Sequence, residues 1–450
     1  MYDAVSVEER NKPTVSLVNY GFANDAESAS RGKGMPVLRY LPTTVPCEAS
    51  IMEDIEAGVD GAFESMITAL TKPLSPDEES PKPAEQPEPT RIVFKGSLEE
   101  VNRFFYQRGW TDGLPIIPPT EEAVADMLRG TDLPPDHLLG KLESRMGKAT
   151  VEKIAINAVM AGALPTYMPV LIAGTKLLLE SEPGFMGFTT FGFSTGSWSP
   201  FWIINGPIRN QIHVNNSSGA FSPGNIANAA IGRAMGLIIK NIGGVRKGVE
   251  DMGVMGNPMK YTMVIAENEE DTPWEPLHVE YGYNKEDSTI TLSFPQTYLQ
   301  HWPYSADAEG ILRAVMDNMP RGMRYTVIFT PPHAKNLARE GWTKGDIKEF
   351  ISEFKRISGS QFNSMPVIGG FKPGLFKGRI TPQETDTIPV IRNPEYIRII
   401  VAGGPGAFIA HAVGGGATPG KKQTQKIELP ENWDSLVARY KNVVPTFAKY

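Results

Sequence analysis

Residues 12–22 read KPTVSLVNYGF, a β-branched apolar run that ends in Gly21. Thr14–Asn19 fits a buried strand, because a short apolar run closed by turn residues packs on both faces. Asp25 is placed to cap a helix that runs to about Lys33, stopped by Gly32 and Gly34. Val37–Leu41 reads as a second strand, ended by Pro42. From Glu48 to Leu70 the spacing is helical, with Ile51, Ile55, Val59, Phe63, Met66, Ile67 and Leu70 on one face. This β-α-β-α order predicts a parallel, Rossmann-like α/β arrangement. Two strands make a poor sheet, so the unit is expected to need strands from elsewhere.

Outward from this unit, residues 72–90 (KPLSPDEESPKPAEQPEPT) hold six prolines and almost no apolar side chain. That composition predicts an extended, solvated linker. The expected organisation is therefore a small split α/β unit at 1–71, a Pro-rich linker at 72–90, and a larger α+β domain, a mixed sheet with helices, at 91–450. In the large domain helices are expected at Leu98–Arg108, from Thr120 to Leu128, at Val151–Ala161, Pro169–Glu180, Pro223–Asn241 and Lys344–Lys355. Strands are expected at Phe201–Asn205, Tyr261–Ala266, Thr289–Phe294 and Tyr325–Thr330, and a last one at Ile397–Ala402. No internal repeat is evident.

Composition narrows the function classes. Of 450 residues 41% are apolar and 21% charged, as in a globular protein with a core. A net charge of −7 with no basic stripe argues against nucleic-acid binding. The opening residues, MYDAVSVEERNKP, lack the apolar segment of a signal peptide. The longest apolar stretches, such as Met168–Leu179, fall short of the roughly 20 residues of a membrane helix. A cytoplasmic protein is expected. Cys47 is the single cysteine, so no intrachain disulfide can form.

Several segments are candidates for chemistry. Cys47 lies between a strand and a helix, where the helix dipole would stabilise a thiolate. It reads either as a redox or nucleophilic thiol or as a small buried side chain, and the adjacent Glu48 disfavours the thiolate. Asn215, Asn216, Ser217, Ser218 and Gly219, then Ser222, Pro223, Gly224 and Asn225, precede the helix that contains Asn228. Free backbone N–H groups at such a start can hold an anion. Arg209 upstream suits a carboxylate or phosphate, and His213 suits proton transfer near neutrality. These residues outline a substrate pocket, or else a capped helix after an ordinary turn. The run Ile399–Phe408, IIVAGGPGAF, carries a strand into a Gly-rich turn, out of register with a dinucleotide fingerprint, and His411 follows about one helical turn later. Glu267–Asp271, just before His278 and Glu280, reads either as carboxylates that with the histidine bind a metal or do acid–base work, or as a solvated acidic loop. His278 and Glu280 would share a face of an extended segment. Trp274, between Pro273 and Pro276, reads as a rigid lid. No metal site and no cofactor is assigned.

The first 80 residues resemble the C-terminal part of UGSC-family (seleno)proteins and, more distantly, the end of component B of glycine, sarcosine and betaine reductases. The resemblance rests on KPTVSLVNYGF, the Gly34-Met35-Pro36 turn, the Pro46 turn and the helix ending in Leu70-Thr71-Lys72-Pro73-Leu74. Cys-Gly-Ser-Cys is absent here. The resemblance therefore implies a partner subunit that carries the cysteine- or selenocysteine-Gly-Ser-Cys motif, as if the domain were split between two chains. Residues 91–450 look like an uncharacterised domain of the same group. The leading expectation is a subunit of a hetero-oligomeric enzyme acting on a small, anionic substrate by thiol or selenol chemistry, with Cys47 as a resolving thiol. A self-contained lyase or hydrolase using His213, or His278 with Glu280, and a non-catalytic assembly subunit are the alternatives.

Overall fold

The computed structural model describes residues 1–45, 50–80, 90–180, 195–320, 324–363, 383, 385–415 and 419–443. The fold is α/β, as expected. The chain divides into two compact units: Met1–Ser197 with Arg233–Tyr261, and Trp198–Gly232 with Thr262–Tyr450. The divide does not fall at the Pro-rich segment. Residues 90–197 and 233–261 group with the N-terminal elements, so in place of the boundaries expected at 71 and 91 the chain passes between the units near 197, 232 and 261.

In the first unit α1 (Tyr2–Glu8) precedes β1 (Ser16–Asn19), α2 (Ala23–Gly32), β2 (Tyr40–Thr43) and α3 (Met52–Thr71). β1 and β2 pair in parallel, Ser16 opposite Tyr40 and Asn19 opposite Thr43. The second strand starts later than Val37 and includes Pro42, which a two-stranded sheet tolerates because every strand in it is an edge. Phe22, not Asp25, is the N-cap residue of α2, and Asp25 lies in its first turn. Residues 72–80 are not an extended linker. Ser75 and Glu78 form a capping box on the short helix Pro76–Glu79. The Arg39 guanidinium holds that Glu78 carboxylate and donates to the carbonyls of Ala69, Lys72 and Pro73. The rest of the unit is mostly helical. Ser97, Thr120 and Thr150 cap the helices Leu98–Gln107, Glu121–Leu128 and Val151–Met160. The helix Met168–Glu180 is buried almost all round. An antiparallel hairpin, β3 (Leu138–Leu142) and β4 (Gly147–Thr150), completes it.

The second unit is built on one mixed sheet. Its strands are β5 (Phe201–Asn205), β6 (Val264–Ala266), β7 (Thr289–His301), β8 (Arg324–Phe329), β11 (Ile397–Val401), β12 (Ile409–Gly415) and β13 (Thr424–Lys426). A separate small hairpin joins β9 (Arg356–Ser358) and β10 (Thr387–Pro389). The main order is β11-β8-β12-β7-β5-β6, with β13 beside β7. Every residue of β5 and of β11 is buried, as expected of strands covered on both faces, and the polar side chains of Asn205 and Arg398 are buried with the rest. One core cluster gathers β8, β11 and β12 with the helices Ala308–Asn318, Pro331–Arg339 and Lys344–Phe354.

Two strands follow Ile397–Val401, so that strand is not the last, and His411 lies on β12 rather than in a helix. The Gly-rich turn reverses the chain and returns it antiparallel to β8. β7 runs through Pro295 to His301, well past the expected end at Phe294. The proline sits where the register with β12 slips, opposite Gly414, so its missing N–H is not needed.

The main sheet repeats itself. β5 pairs in parallel with β6 on one side and antiparallel with β7 on the other. β8 pairs in parallel with β11 on one side and antiparallel with β12 on the other. β7 and β12 meet antiparallel at the centre, so a dyad normal to the sheet relates the two halves. The correspondence extends past the strands. The Glu267 N–H donates to the Ile204 carbonyl and the Ala402 N–H to the Phe329 carbonyl, at the same place in each half. The repeat lies in topology, which explains its invisibility in sequence.

Candidate functional site

A cleft of about 520 Å³ opens in the second unit. Two loops face each other across it: Ser217–Ser222, and Gly403–Gly406 at the carboxyl end of β11. Tyr298 and Gln300 from β7, Thr330 just beyond β8, and Phe408–Ala410 at the start of β12 complete the lining. Strand ends of this kind are where open α/β sheets collect ligands.

The loop geometry follows from a few residues. The Asn225 amide donates to the carbonyls of Gly219 and Ser222. Asn215 donates to the Ser218 carbonyl and to Asn225 Oδ1, and accepts from the Ser217 N–H. Buried Asn228 donates to the carbonyls of Asn215 and Val264 and accepts from the Asn215 N–H. Opposite, the Gly403 N–H donates to the Asn216 carbonyl, and Gly403 has φ +93°, where a side chain would be strained. A Cβ on Gly404 would collide with the Ser218 hydroxyl, so the two loops meet at a point where only glycine fits.

Among the described residues that line it, none carries a formal charge. Their donors are hydroxyls, the Gln300 amide and backbone N–H groups. Thr330 donates to the Gly406 carbonyl (2.8 Å) and meets His333 Nδ1 at 3.0 Å. Tyr298 stacks edge-on to Phe221, and burial pushes its hydroxyl up to about 12. Beside the cleft, His301 and His411 approach at 3.3 Å between their Nε2 atoms. Burial holds both below the usual histidine value, His411 at about 3, with His301 and then Lys355 adding to its shift.

The residues expected to form the site fall into three groups. Ser222 lines the cleft. Asn215, Asn225 and Asn228 shape its loop from behind, Asn216 contributes a carbonyl, and Gly224, at φ +107°, turns the chain before the helix Ile226–Asn241. Arg209 and His213 lie outside the lining. Arg209 is no substrate clamp: it is buried and paired with Glu269 (3.1 Å) and Glu270 (3.1 Å), and it donates to the carbonyls of Gly206 and Glu267. His213 is half-buried in a left-handed turn, φ +57°, after the short helix Ile208–Gln211. Cys47 lies outside the described residues.

The acidic segment is solvated only at Glu270 and Asp271. Glu267 is fully buried and accepts from the Asn205 amide and the Leu277 N–H. Glu269 accepts from the Gly206 N–H and from Asn205. His278 and Glu280 sit on a one-turn helix, Leu277–Glu280, so they do not share the face of a strand. His278 is fully buried, and Glu280 is held by Lys344 and Lys348. Trp274 is not a lid. It packs on the core against Phe329 and donates to the Trp342 carbonyl. Among the described residues no group of three or more His, Cys, Asp or Glu side chains is placed to hold a metal ion. None of their helices is long and apolar enough to cross a membrane.

Tyr298, Gln300, Thr330 and Phe408 escaped the sequence reading. Thr330 carried a signal, standing between a buried strand and Pro331-Pro332, the mirror of Asn205-Gly206-Pro207 after β5. Comparison with known proteins returns no match, whether to a family model, a curated protein or a solved structure.

Proposed function

We propose that this chain is the substrate-binding subunit of an enzyme, and that the cleft between Ser217–Ser222 and Gly403–Gly406 holds a small, oxygen-rich organic molecule. One observation carries the reading. Two loops with hydroxyl and backbone N–H donors converge so closely that Gly404 admits no side chain, and a cleft opens beside them at the ends of buried strands. Neutral donors of this kind suit carboxylate, carbonyl or hydroxyl oxygens, and apolar Ile265, Ile328 and Phe408 suit a short carbon skeleton. A multiply charged anion would find no cation in the lining to offset its desolvation.

In this reading the reacting group comes from a partner subunit. The likeness of the first 80 residues to UGSC-family proteins supports a cysteine thiol or selenocysteine selenol in that role. The direct test is saturation-transfer NMR of the full chain with a panel of short carboxylates, hydroxy acids and diols, repeated with Gly404→Val. Binding by one class, abolished in the variant, is expected. Absence of binding across the panel, or binding indifferent to Gly404→Val, overturns the assignment of the cleft.

A further inference from the structure

We infer that the outer face of α3 is the docking surface for a different protein chain, one that presents an apolar groove rimmed by lysine or arginine. The inference deepens the reading of a partner subunit and rests on it for the existence of that partner.

The helix has twenty residues and none is buried. At about 100° per residue, Ile55, Ala62, Met66 and Ala69 share the half-buried side. Gly58 lies there too, where a Cβ would press on the Val45 side chain. Met52, Val59, Phe63 and Ile67 form a second, adjacent stripe at intervals of seven, four and four. These four are 54%, 40%, 54% and 43% exposed. Water therefore faces a line of large apolar side chains about four turns long, with one gap between Met52 and Val59. Apolar surface gathered in a line, unlike scattered single residues, marks a contact. The sheet beneath points the same way. It has only two strands, with Leu17 of β1 exposed, and so lacks the area that makes such a unit independently stable.

Charge selects the occupant. The helix carries Glu53, Asp54, Glu56, Asp60 and Glu64 and no basic residue. Glu56, Asp60 and Glu64 follow the exposed stripe along one side, and none of the five forms an ion pair with a described residue. A two-fold contact between copies sets the same patch against itself, acid rim on acid rim. A heterologous groove with a basic rim meets both features of the face: the stripe enters the groove, and the carboxylates meet the cations.

The test places a photo-crosslinking phenylalanine analogue at position 63 of the full chain, expressed in its native host, and identifies the cross-linked peptide. The expected peptide belongs to another protein and combines apolar residues with nearby lysine or arginine. With that protein purified, Ile67→Asp and the pair Asp60→Lys, Glu64→Lys should each weaken binding at least tenfold. Added salt should weaken binding by the unaltered chain more than by the lysine variant. All three positions are exposed, and an unchanged melting temperature shows that the variants fold. A cross-link to a second copy, to another segment of this chain, or to nothing overturns the inference. If a partner co-purifies but binds the Ile67→Asp chain unchanged, the docking face is wrong and the partner reading survives. If no partner co-purifies at all, both fall.

Discussion

Asp25 offers a sharp test of the N-terminal packing. Its carboxyl sits in the first turn of α2, and burial, followed by the nearby Glu250 carboxylate, raises it from 3.8 to about 7. Glu250 cannot relieve the repulsion by turning away. It is fully buried and held by Ser28 (2.5 Å) and by the Arg246 guanidinium (2.6 Å). Asp25 Oδ1 has no hydrogen-bond partner among the described residues. A group whose folded value lies above its unfolded value binds its proton more tightly in the fold. Its contribution to stability is complete below about pH 4 and is lost as the pH rises to about 7. Three units correspond to about 4 kcal/mol, and solvent that still reaches the half-buried side chain reduces this to about 2–3 kcal/mol. Asp25→Asn keeps the shape and removes the titration. Urea unfolding of both chains at steps from pH 4 to pH 8 should give equal stabilities at pH 4. By pH 8 the variant should be the more stable by about 2–3 kcal/mol. A difference that is constant with pH, or one that grows on acidification, refutes the placement of Asp25 against Glu250.

Other perturbations probe the second unit. His411 titrates with the opposite sign: its folded value is depressed by burial, so its contribution is present above about pH 6.5 and lost on acidification towards pH 3. His411→Gln should flatten the acid limb of the stability profile, as read by thermal melts across that range. Arg209→Met leaves Glu269 buried without its cation and should cost about 3–5 kcal/mol in urea unfolding. Gly404→Ala should displace the Ser218 loop, costing about 1–3 kcal/mol by overpacking and weakening whatever the cleft binds. A loss of binding with unchanged stability would show that the loops yield more easily than this contact implies.

Much of the framework was legible because burial writes itself into composition. Phe201–Asn205 and Ile397–Val401 are apolar but for Asn205 and Arg398, and every residue of both is buried in the sheet. Thr120 announced a helix start that the structure keeps. The failures have physical causes. Pro295 hid seven residues of β7, because a local rule against proline cannot see a register slip in the strand opposite. The helix Ala308–Asn318 was passed over although Asp307 caps it. At the site, the sequence placed Asn215 and Asn225 in a loop, and Asn228 in the helix after it, and that loop does face a cleft. It could not show that their amides are spent on holding that loop. Nor could it show that Arg209 is engaged by carboxylates some sixty residues away.

The dyad within the sheet gives two equivalent strand ends, and the Gly-rich turn that borders the cleft lies at one of them. Both halves turn the chain at the same point after a buried parallel strand, where Glu267 and Ala402 occupy equivalent positions. From there the sequences diverge, Asn268-Glu269-Glu270 against Gly403-Gly404-Pro405. In the first half the long side chains fold inward, and charge neutralisation demands Arg209 and Lys344. Those cations fill the strand ends and tie them to neighbouring elements. In the second half glycine removes both the filler and the charge, and the equivalent ground is left open between the Gly-rich turn and the Ser217–Ser222 loop. A buried ion network stabilises little for its cost of desolvation, and its usual merit is to fix one arrangement. The two strand ends thus differ in filling: buried charge at Glu267 in one, a glycine turn beside the cleft in the other.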